Sequence, residues 1–243
     1  MKFNRDTIFS EPLDQIGDFK FNEQVADVFA DMISRSVPGY ASLIQYIELF
    51  AAVFCRQNTR SYDLGCSLGD GALAIFRGAG RKNHSIIAID NSPQMIRKCK
   101  ALLKQKNAES EINLICADLQ DVKIESASIV LMNYTLQFIK KDLRDQVIQK
   151  IYNGLLPGGV LILSEKLKNS NQQDSGFLID MYHAFKKAKG YSKLEISQKR
   201  TALENVLIPE TLEDHLIRLK KCGFRQAVNW LQCFNFFSIV AVK

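Results

Sequence analysis

The segment Asp63-Leu64-Gly65-Cys66-Ser67-Leu68-Gly69 sets two glycines among small residues directly after a short apolar run. Backbone without Cβ atoms lets a ligand approach closely, although a tight turn alone also accounts for such a segment. The next apolar run, Ser85-Ile86-Ile87-Ala88-Ile89, ends in Asp90, 25 residues beyond Gly65. A carboxylate there can accept hydrogen bonds from both hydroxyls of a ribose and disfavours a phosphate on it. Asn91 adds an amide beside it. Asp118, after a third run, can receive an adenine amino group or cap a helix. Asn133 closes a fourth run, so polar residues stand at four consecutive run ends. The third glycine of a dinucleotide fingerprint is missing, and Asp70 stands where the next helix begins. A carboxylate at that point repels phosphates and is compatible with a ligand bearing a sulfonium and an amino-acid tail.

These residues need elements to position them. Residues 22–55 read as two helices broken at Ser36-Val37-Pro38-Gly39. Strands are expected at 60–64, 85–89, 112–116, 127–132 and 160–164, with helices at 70–76, 92–106 and 141–155 between them. Ser92-Pro93 supplies an N-cap and a first-turn proline. Leu156-Pro157-Gly158-Gly159 stops the third of these helices. Strands alternating with helices imply a parallel sheet with right-handed crossovers, an α/β doubly wound fold whose ligand sits at the carboxyl ends of the strands. A polar helical stretch at 167–205 interrupts the alternation. A helix near 212–221 and strands near 227–232 and 236–242 follow, the last two an antiparallel pair joined through Cys233-Phe234-Asn235. The expected organisation is one α/β domain over 1–243: helical segment 1–56, ligand-binding core 57–166, helical cover 167–208, and closing helix and hairpin 209–243.

Composition narrows the class. The chain of 243 residues suffices for one such domain with a sizeable core. The first eleven residues carry charge and no apolar segment, and no run reaches the ~20 apolar residues of a membrane helix, so a cytoplasmic protein is expected. Six cysteines and three histidines are scattered without metal-ligand spacing, so no metal site and no disulfide framework is expected. The net charge of +6 is spread over small clusters at Arg81-Lys82, Lys140-Lys141, Lys186-Lys187 and Lys220-Lys221. Without a stripe, these read as solvated helix faces rather than an RNA groove, and direct RNA binding is not expected.

Asp63-x-Gly65-x-x-x-Gly69 followed by Asp90, with Leu156-Pro157-Gly158-Gly159, resembles the class I S-adenosylmethionine-dependent methyltransferases over residues 58–165. That Rossmann-like superfamily has a seven-stranded, mostly parallel sheet with an antiparallel final strand. A sharper resemblance spans nearly the whole chain. Arg35-Ser36-Val37-Pro38-Gly39-Tyr40, Ile89-Asp90-Asn91-Ser92-Pro93, Thr135-Leu136-Gln137-Phe138, Glu195-Ile196-Ser197-Gln198-Lys199-Arg200 and Trp230-Leu231-Gln232-Cys233-Phe234-Asn235-Phe236 are similar to the bacterial carboxy-S-adenosyl-L-methionine synthase family.

The resemblance implies that S-adenosyl-L-methionine is carboxylated on its methyl group with prephenate, releasing phenylpyruvate. The product would serve a separate tRNA carboxymethyltransferase that modifies wobble uridine to its 5-oxyacetyl form. It implies a homodimer, and cofactor contacts from Tyr40, Gly65, Cys66, Ser67, Asp90, Asn91, Asp118, Leu119, Asn133 and Arg200. Asp70 and Phe76 depart from the family pattern. Phe76 alters only packing or surface, whereas Asp70 could weaken the site if its carboxylate turned inward. Carboxylation requires the methyl to lose a proton and become a nucleophilic ylide beside the positive sulfur. Arg200 is the expected grip on the new carboxylate, although on its own it reads as a surface residue of a basic helix. Tyr134 is a second candidate for the chemistry, with apolar packing as its other reading. The 167–205 segment would exclude water from the ylide. Leu178, Met181, Tyr182 and Phe185 form one helical face for core, dimer or pocket. Two other functions share this fold: an ordinary methyltransferase acting on RNA or a small molecule, and a non-catalytic S-adenosylmethionine-binding subunit.

Overall fold

In the computed structural model, residues 4–80, 83–169 and 171–243 are described; the Arg81-Lys82 pair lies outside them. Two helices lead the chain, α1 (Glu23–Ser36) and α2 (Tyr40–Phe54). Asn22 caps α1 by accepting the Val25 N–H at 3.0 Å, and Pro38 prevents its continuation. The alternating core follows as β1 (Thr59–Leu64), α3 (Asp70–Ala79), β2 (His84–Asp90), α4 (Pro93–Gln105), β3 (Ile112–Cys116), β4 (Ala127–Asn133), α5 (Lys141–Gly154) and β5 (Leu155–Lys166). Two cover helices, α6 (Gln172–Ala188) and α7 (Lys193–Leu203), precede α8 (Leu212–Lys221), β6 (Gln226–Cys233) and β7 (Phe236–Val242).

The seven strands lie in the order β3-β2-β1-β4-β5-β7-β6. The pairs from β3 through β5 are parallel, and β7 runs antiparallel to both of its neighbours. This is the Rossmann-like class I arrangement. Strand order reverses between β1 and β4, so the carboxyl ends of those two strands flank the switch-point crevice.

Alternation along the central strands fills both faces. Ile129, Leu131, Val160 and Ile162 join α2, α3 and α4 on one side. Val130, Met132, Leu161 and Leu163 join α5 and the α8–β7 region on the other. Strands buried on both faces read as nearly continuous apolar runs, which is why β4 and β5 were visible in the sequence.

Two boundaries differ from the sequence expectation by three residues or more. Helix α3 continues three residues past Phe76 to Ala79, because Gly78 lets it sit against α2: a Cβ there would lie 2.0 Å from the Glu48 carbonyl oxygen. Strand β5 starts at Leu155 rather than Val160. Its pairing with β4 jumps from Ala127↔Leu155 to Ile129↔Val160, so Leu156-Pro157-Gly158-Gly159 forms an irregularity inside the strand. Gly159 permits it, since a Cβ would stand 2.9 Å from both the Ala127 and Leu156 carbonyl oxygens. No single helix among the described residues is long and apolar enough to cross a membrane.

Candidate active site

The loop after β1 is fixed before any ligand arrives. The N–H groups of Gly65 and Cys66 both donate to the Ile89 carbonyl, at 2.8 and 2.9 Å, tying this loop to the end of β2. Gly65 has φ +78°, and a Cβ on it would meet Thr135 Oγ1 at 2.3 Å. Ser67 takes a φ of +48° without being glycine, a strained backbone held by its N–H donating to Asp90 Oδ2 at 2.9 Å. Asp90 Oδ1 accepts the Ser92 N–H at 2.9 Å. Each Asp90 oxygen thus keeps one free acceptor direction toward the cavity, which suits two ribose hydroxyls. Burial pushes this carboxyl above its ordinary value, against those two N–H donors.

Asn91 Nδ2 donates to Asp118 Oδ1 at 2.7 Å, so the two residues act as a pair. The capping alternative for Asp118 is overturned: a turn follows it, not a helix. At the end of β4, Ser164 Oγ lies 2.8 Å from Asn133 Oδ1 and 2.9 Å from Ser238 Oγ, which leaves the Asn133 NH2 to face the cavity. Tyr134 also has positive φ, +55°, and packs between Tyr40 and Phe236 at ring distances of 6.5 and 5.9 Å. Burial and the neighbouring Glu165 push its hydroxyl far above the ordinary value. Burial therefore favours the protonated hydroxyl of Tyr134. Glu165 braces the turn beneath it, accepting the N–H groups of Thr135, Leu136 and Gln137 at 3.2, 2.8 and 2.9 Å.

The loop after β1, the polar strand ends and Tyr134 border one cavity of about 580 Å³. Its wall contains every residue expected from the sequence: Tyr40, Gly65, Cys66, Ser67, Asp90, Asn91, Asp118, Leu119, Asn133, Tyr134 and Arg200. Asp70 does turn inward, where its Oδ2 accepts the Tyr40 hydroxyl at 3.0 Å. Asp63, which the sequence reading used only as part of the glycine motif, also borders the cavity. Its Oδ2 is buried without a hydrogen-bond partner, and burial pushes its carboxyl up to about 7. Three carboxylates at the β1–β2 end suit a ligand with a sulfonium and an ammonium.

The opposite wall is cationic. Lys166 ends β5, His183 and Lys186 lie on α6, and Lys199 and Arg200 lie on α7. The reading of Lys186-Lys187 as a solvated face is corrected here: Lys186 is only 6% exposed. Its Nζ stands 4.4 Å from the centre of the Tyr182 ring, and Lys166 Nζ stands 5.1 Å from it. The α6 face divides its tasks. Leu178 and Tyr182 border the cavity, Phe185 supports the Val37–Tyr182–Phe236 cluster, and Met181 is half-buried outside the cavity wall. Sequence reasoning missed Lys166 and Lys186 because a lysine in a helix or at a strand end carries no sign of burial.

The cover is latched to the N-terminal segment. Lys199 Nζ reaches Asp6 Oδ2 at 3.3 Å and Ser36 Oγ at 3.1 Å, and the Tyr191 hydroxyl donates to the same Asp6 oxygen. Gln198 donates to the carbonyls of Phe9 and Glu11 and accepts the Leu13 N–H.

A methyltransferase-domain family model matches residues 62–159, the part of the chain that carries the acidic end of the cavity. Over its whole length the chain is 51% identical to the carboxy-S-adenosyl-L-methionine synthase of Pseudoalteromonas atlantica, covering 100% of both chains. The chain belongs to the carboxy-S-adenosyl-L-methionine synthase family. The synthase of Haemophilus ducreyi is 48% identical, with 99% of this chain and 98% of that protein covered. Among solved structures, a putative S-adenosyl-L-methionine-dependent methyltransferase of Methanococcus maripaludis superposes with a TM-score of 0.62 at 20% identity, covering 96% of this chain and 97% of that one. A putative O-methyltransferase of Nostoc punctiforme gives 0.65 at 17%, covering 91% and 59%. The synthases share the whole chain, cover helices included, whereas the methyltransferase likeness shows the fold alone. The chain is thus an enzyme of the synthase family with a site for S-adenosylmethionine.

Proposed function

We propose that this enzyme converts S-adenosyl-L-methionine and prephenate to carboxy-S-adenosyl-L-methionine, phenylpyruvate and water. The observation that carries the reading is the division of one cavity into an acidic and a cationic end. The acidic end, with Asp63, Asp70 and Asp90, suits the sulfonium, ammonium and ribose of S-adenosylmethionine. The cationic end, with Lys166, Lys186 and Arg200, suits a dianionic second substrate and the carboxylate that the product gains. A methyltransferase acceptor needs no such array of cations.

The atoms balance as follows. Prephenate loses its ring carboxylate as carbon dioxide and its ring hydroxyl as hydroxide, becoming aromatic phenylpyruvate. The hydroxide takes a proton from the sulfonium methyl, leaving an ylide and water. The ylide carbon attacks carbon dioxide and forms the new C–C bond. The departing hydroxide serves as the base, so neither a histidine nor Tyr134 is needed for that step. The cover formed by α6 and α7 excludes bulk water that would reprotonate the ylide. The product would pass to a separate tRNA carboxymethyltransferase, and the enzyme would work as a homodimer.

Mass spectrometry of protein incubated with both substrates and then denatured tests the reading. A released nucleoside heavier than S-adenosylmethionine by one carbon dioxide, formed only with prephenate, is the expected result. S-adenosylhomocysteine with a methylated acceptor and no carboxylated species would favour an ordinary methyltransferase.

A further inference from the structure

We propose that Lys166 and Lys186, which share the Tyr182 ring, form an anion subsite that holds a carboxylate of the dianionic second substrate, alongside Arg200. The inference rests on the reading above that an organic dicarboxylate is that substrate, and it names the residues that receive it.

Five side chains that are or can become cationic meet at this end of the cavity: Lys166 from β5, His183 and Lys186 from α6, Lys199 and Arg200 from α7. Only one has a strong counter-charge. Asp6 takes Lys199 and the Tyr191 hydroxyl on one oxygen and the Ile8 N–H on the other, which leaves it engaged. Asp180 lies near enough to favour a charged His183, and Glu204, the C-cap of α7, also borders the cavity without an ion pair to these side chains among the described residues. No hydrogen bond or ion pair joins a carboxylate to Lys166, Lys186 or Arg200 among the described residues. A buried ammonium without a partner is costly, and the Tyr182 ring offsets only part of the cost. Of the acids at the other end, Asp70 is engaged by Tyr40, Asp90 by two backbone N–H groups and Asp63 by the Ala72 N–H, and none forms an ion pair with this cluster among the described residues. They also repel an anion. A dicarboxylate is therefore drawn to the cover end, where two or three cations await it.

Proton linkage adds a signature. Burial, reinforced by Lys166, Lys199 and Arg200, pushes Lys186 down to about 7, and burial with Arg200 lowers Lys166. Without an anion Lys186 is largely neutral above that value. An arriving carboxylate favours the charged form, so binding takes up a proton at pH ~8, and affinity falls as pH rises from ~7 to ~9.

The experiment is calorimetric titration of prephenate into the full chain saturated with S-adenosylhomocysteine, which has no methyl group to react, at pH ~8 in two buffers of different ionisation enthalpy. Wild type should bind with net proton uptake. Lys166→Gln and Lys186→Gln should each weaken prephenate about tenfold or more, while S-adenosylhomocysteine binds within about twofold of wild type, which also reports folding. Lys186→Arg should restore affinity without proton uptake, since guanidinium does not titrate in this range. Unchanged prephenate affinity in both glutamine variants overturns the subsite. If wild type ignores prephenate and makes no carboxylated product, the substrate reading fails, and malonate becomes the probe. Malonate binding that both variants lose sustains the subsite. Malonate binding that they keep, or that wild type lacks, overturns it.

Discussion

Arg200 illustrates how much of a residue's role lies in what surrounds it. It is exposed on α7, borders the cavity and has no carboxylate partner among the described residues. A guanidinium about 4 Å from a carboxylate at an effective dielectric of ~20 gains roughly 4 kcal/mol, and exposure reduces this to ~1–2 kcal/mol. Arg200→Ala is expected to keep S-adenosylmethionine affinity and to lose about tenfold in affinity for the carboxylated product, as competitive displacement would show. Equal loss for both ligands would remove Arg200 from carboxylate recognition. Asp63 gives a prediction of opposite chemical sense. With its carboxyl near 7, it is protonated in mildly acidic solution and ionises when a cation arrives. Binding of S-adenosylmethionine should therefore release a proton and tighten from pH ~6 to ~8. Asp63→Asn should flatten that profile in titrations across the range. The polar strand ends Asp90, Asp118 and Asn133 were legible because their position after apolar runs is a sequence property. The state of Asp63 was not, because its burial depends on Gly71 and Leu131 packing over it, the former in α3 and the latter in β4.

At the scale of elements, the turn after β4 shows what the site rests on. Three consecutive N–H groups point at the single Glu165 carboxylate, which is 1% exposed. Burial pushes this carboxyl up to about 8 against those donors. Glu165→Ala would leave three buried donors unpaired at ~1–3 kcal/mol for each unsatisfied group. The expected outcome is a clear fall in the denaturation midpoint and displacement of Tyr134 and Thr135, with loss of nucleoside binding. Wild-type stability in chemical denaturation would mean that the turn holds itself. The alternating elements were readable from apolar runs and caps; Ser92-Pro93 does begin α4, with Ser92 Oγ accepting the Met95 N–H at 3.2 Å. The late start given to β5 failed because a Pro-Gly-Gly segment normally ends pairing. Here the strand continues around it through glycines that tolerate carbonyl contact. The burial of Lys186 and Lys199 was equally hidden. Lys186 is buried over the Tyr182 ring of its own helix and Lys199 against Asp6 and Ser36, contacts that neither helix pattern marks.

For the whole molecule, one surface gathers several exposed apolar side chains, although Phe177 and Ile217 are as exposed elsewhere. Helix α2 exposes Tyr46, Leu49 and Val53, at 47%, 61% and 65%, beside Val228 of the edge strand β6 at 42%. Tyr46 and Phe50 pack edge-on against Trp230, which joins helix and sheet edge into one apolar face. A second copy of the chain is the occupant proposed for it, in keeping with the homodimer proposed above. Leu49→Glu with Val53→Glu should shift the protein to monomer in sedimentation velocity; an unchanged mass would place the dimer contact elsewhere. The latch between α7 and the N-terminal segment has a consequence for motion. The floor of the cavity is held by a seven-stranded sheet with apolar layers on both faces, whereas the roof is fastened by Asp6, Lys199, Tyr191 and Gln198 and by one small apolar contact of Tyr182 and Phe185 with Val37 and Phe236. Apolar layers and ionic latches respond to different solvents. Amide hydrogens of α6 and α7 should thus exchange by an opening that Asp6→Asn accelerates and that leaves β1, β4 and β5 protected. The enzyme would then release its product by undoing a few polar contacts and one small apolar one, at a free energy well below that of unfolding.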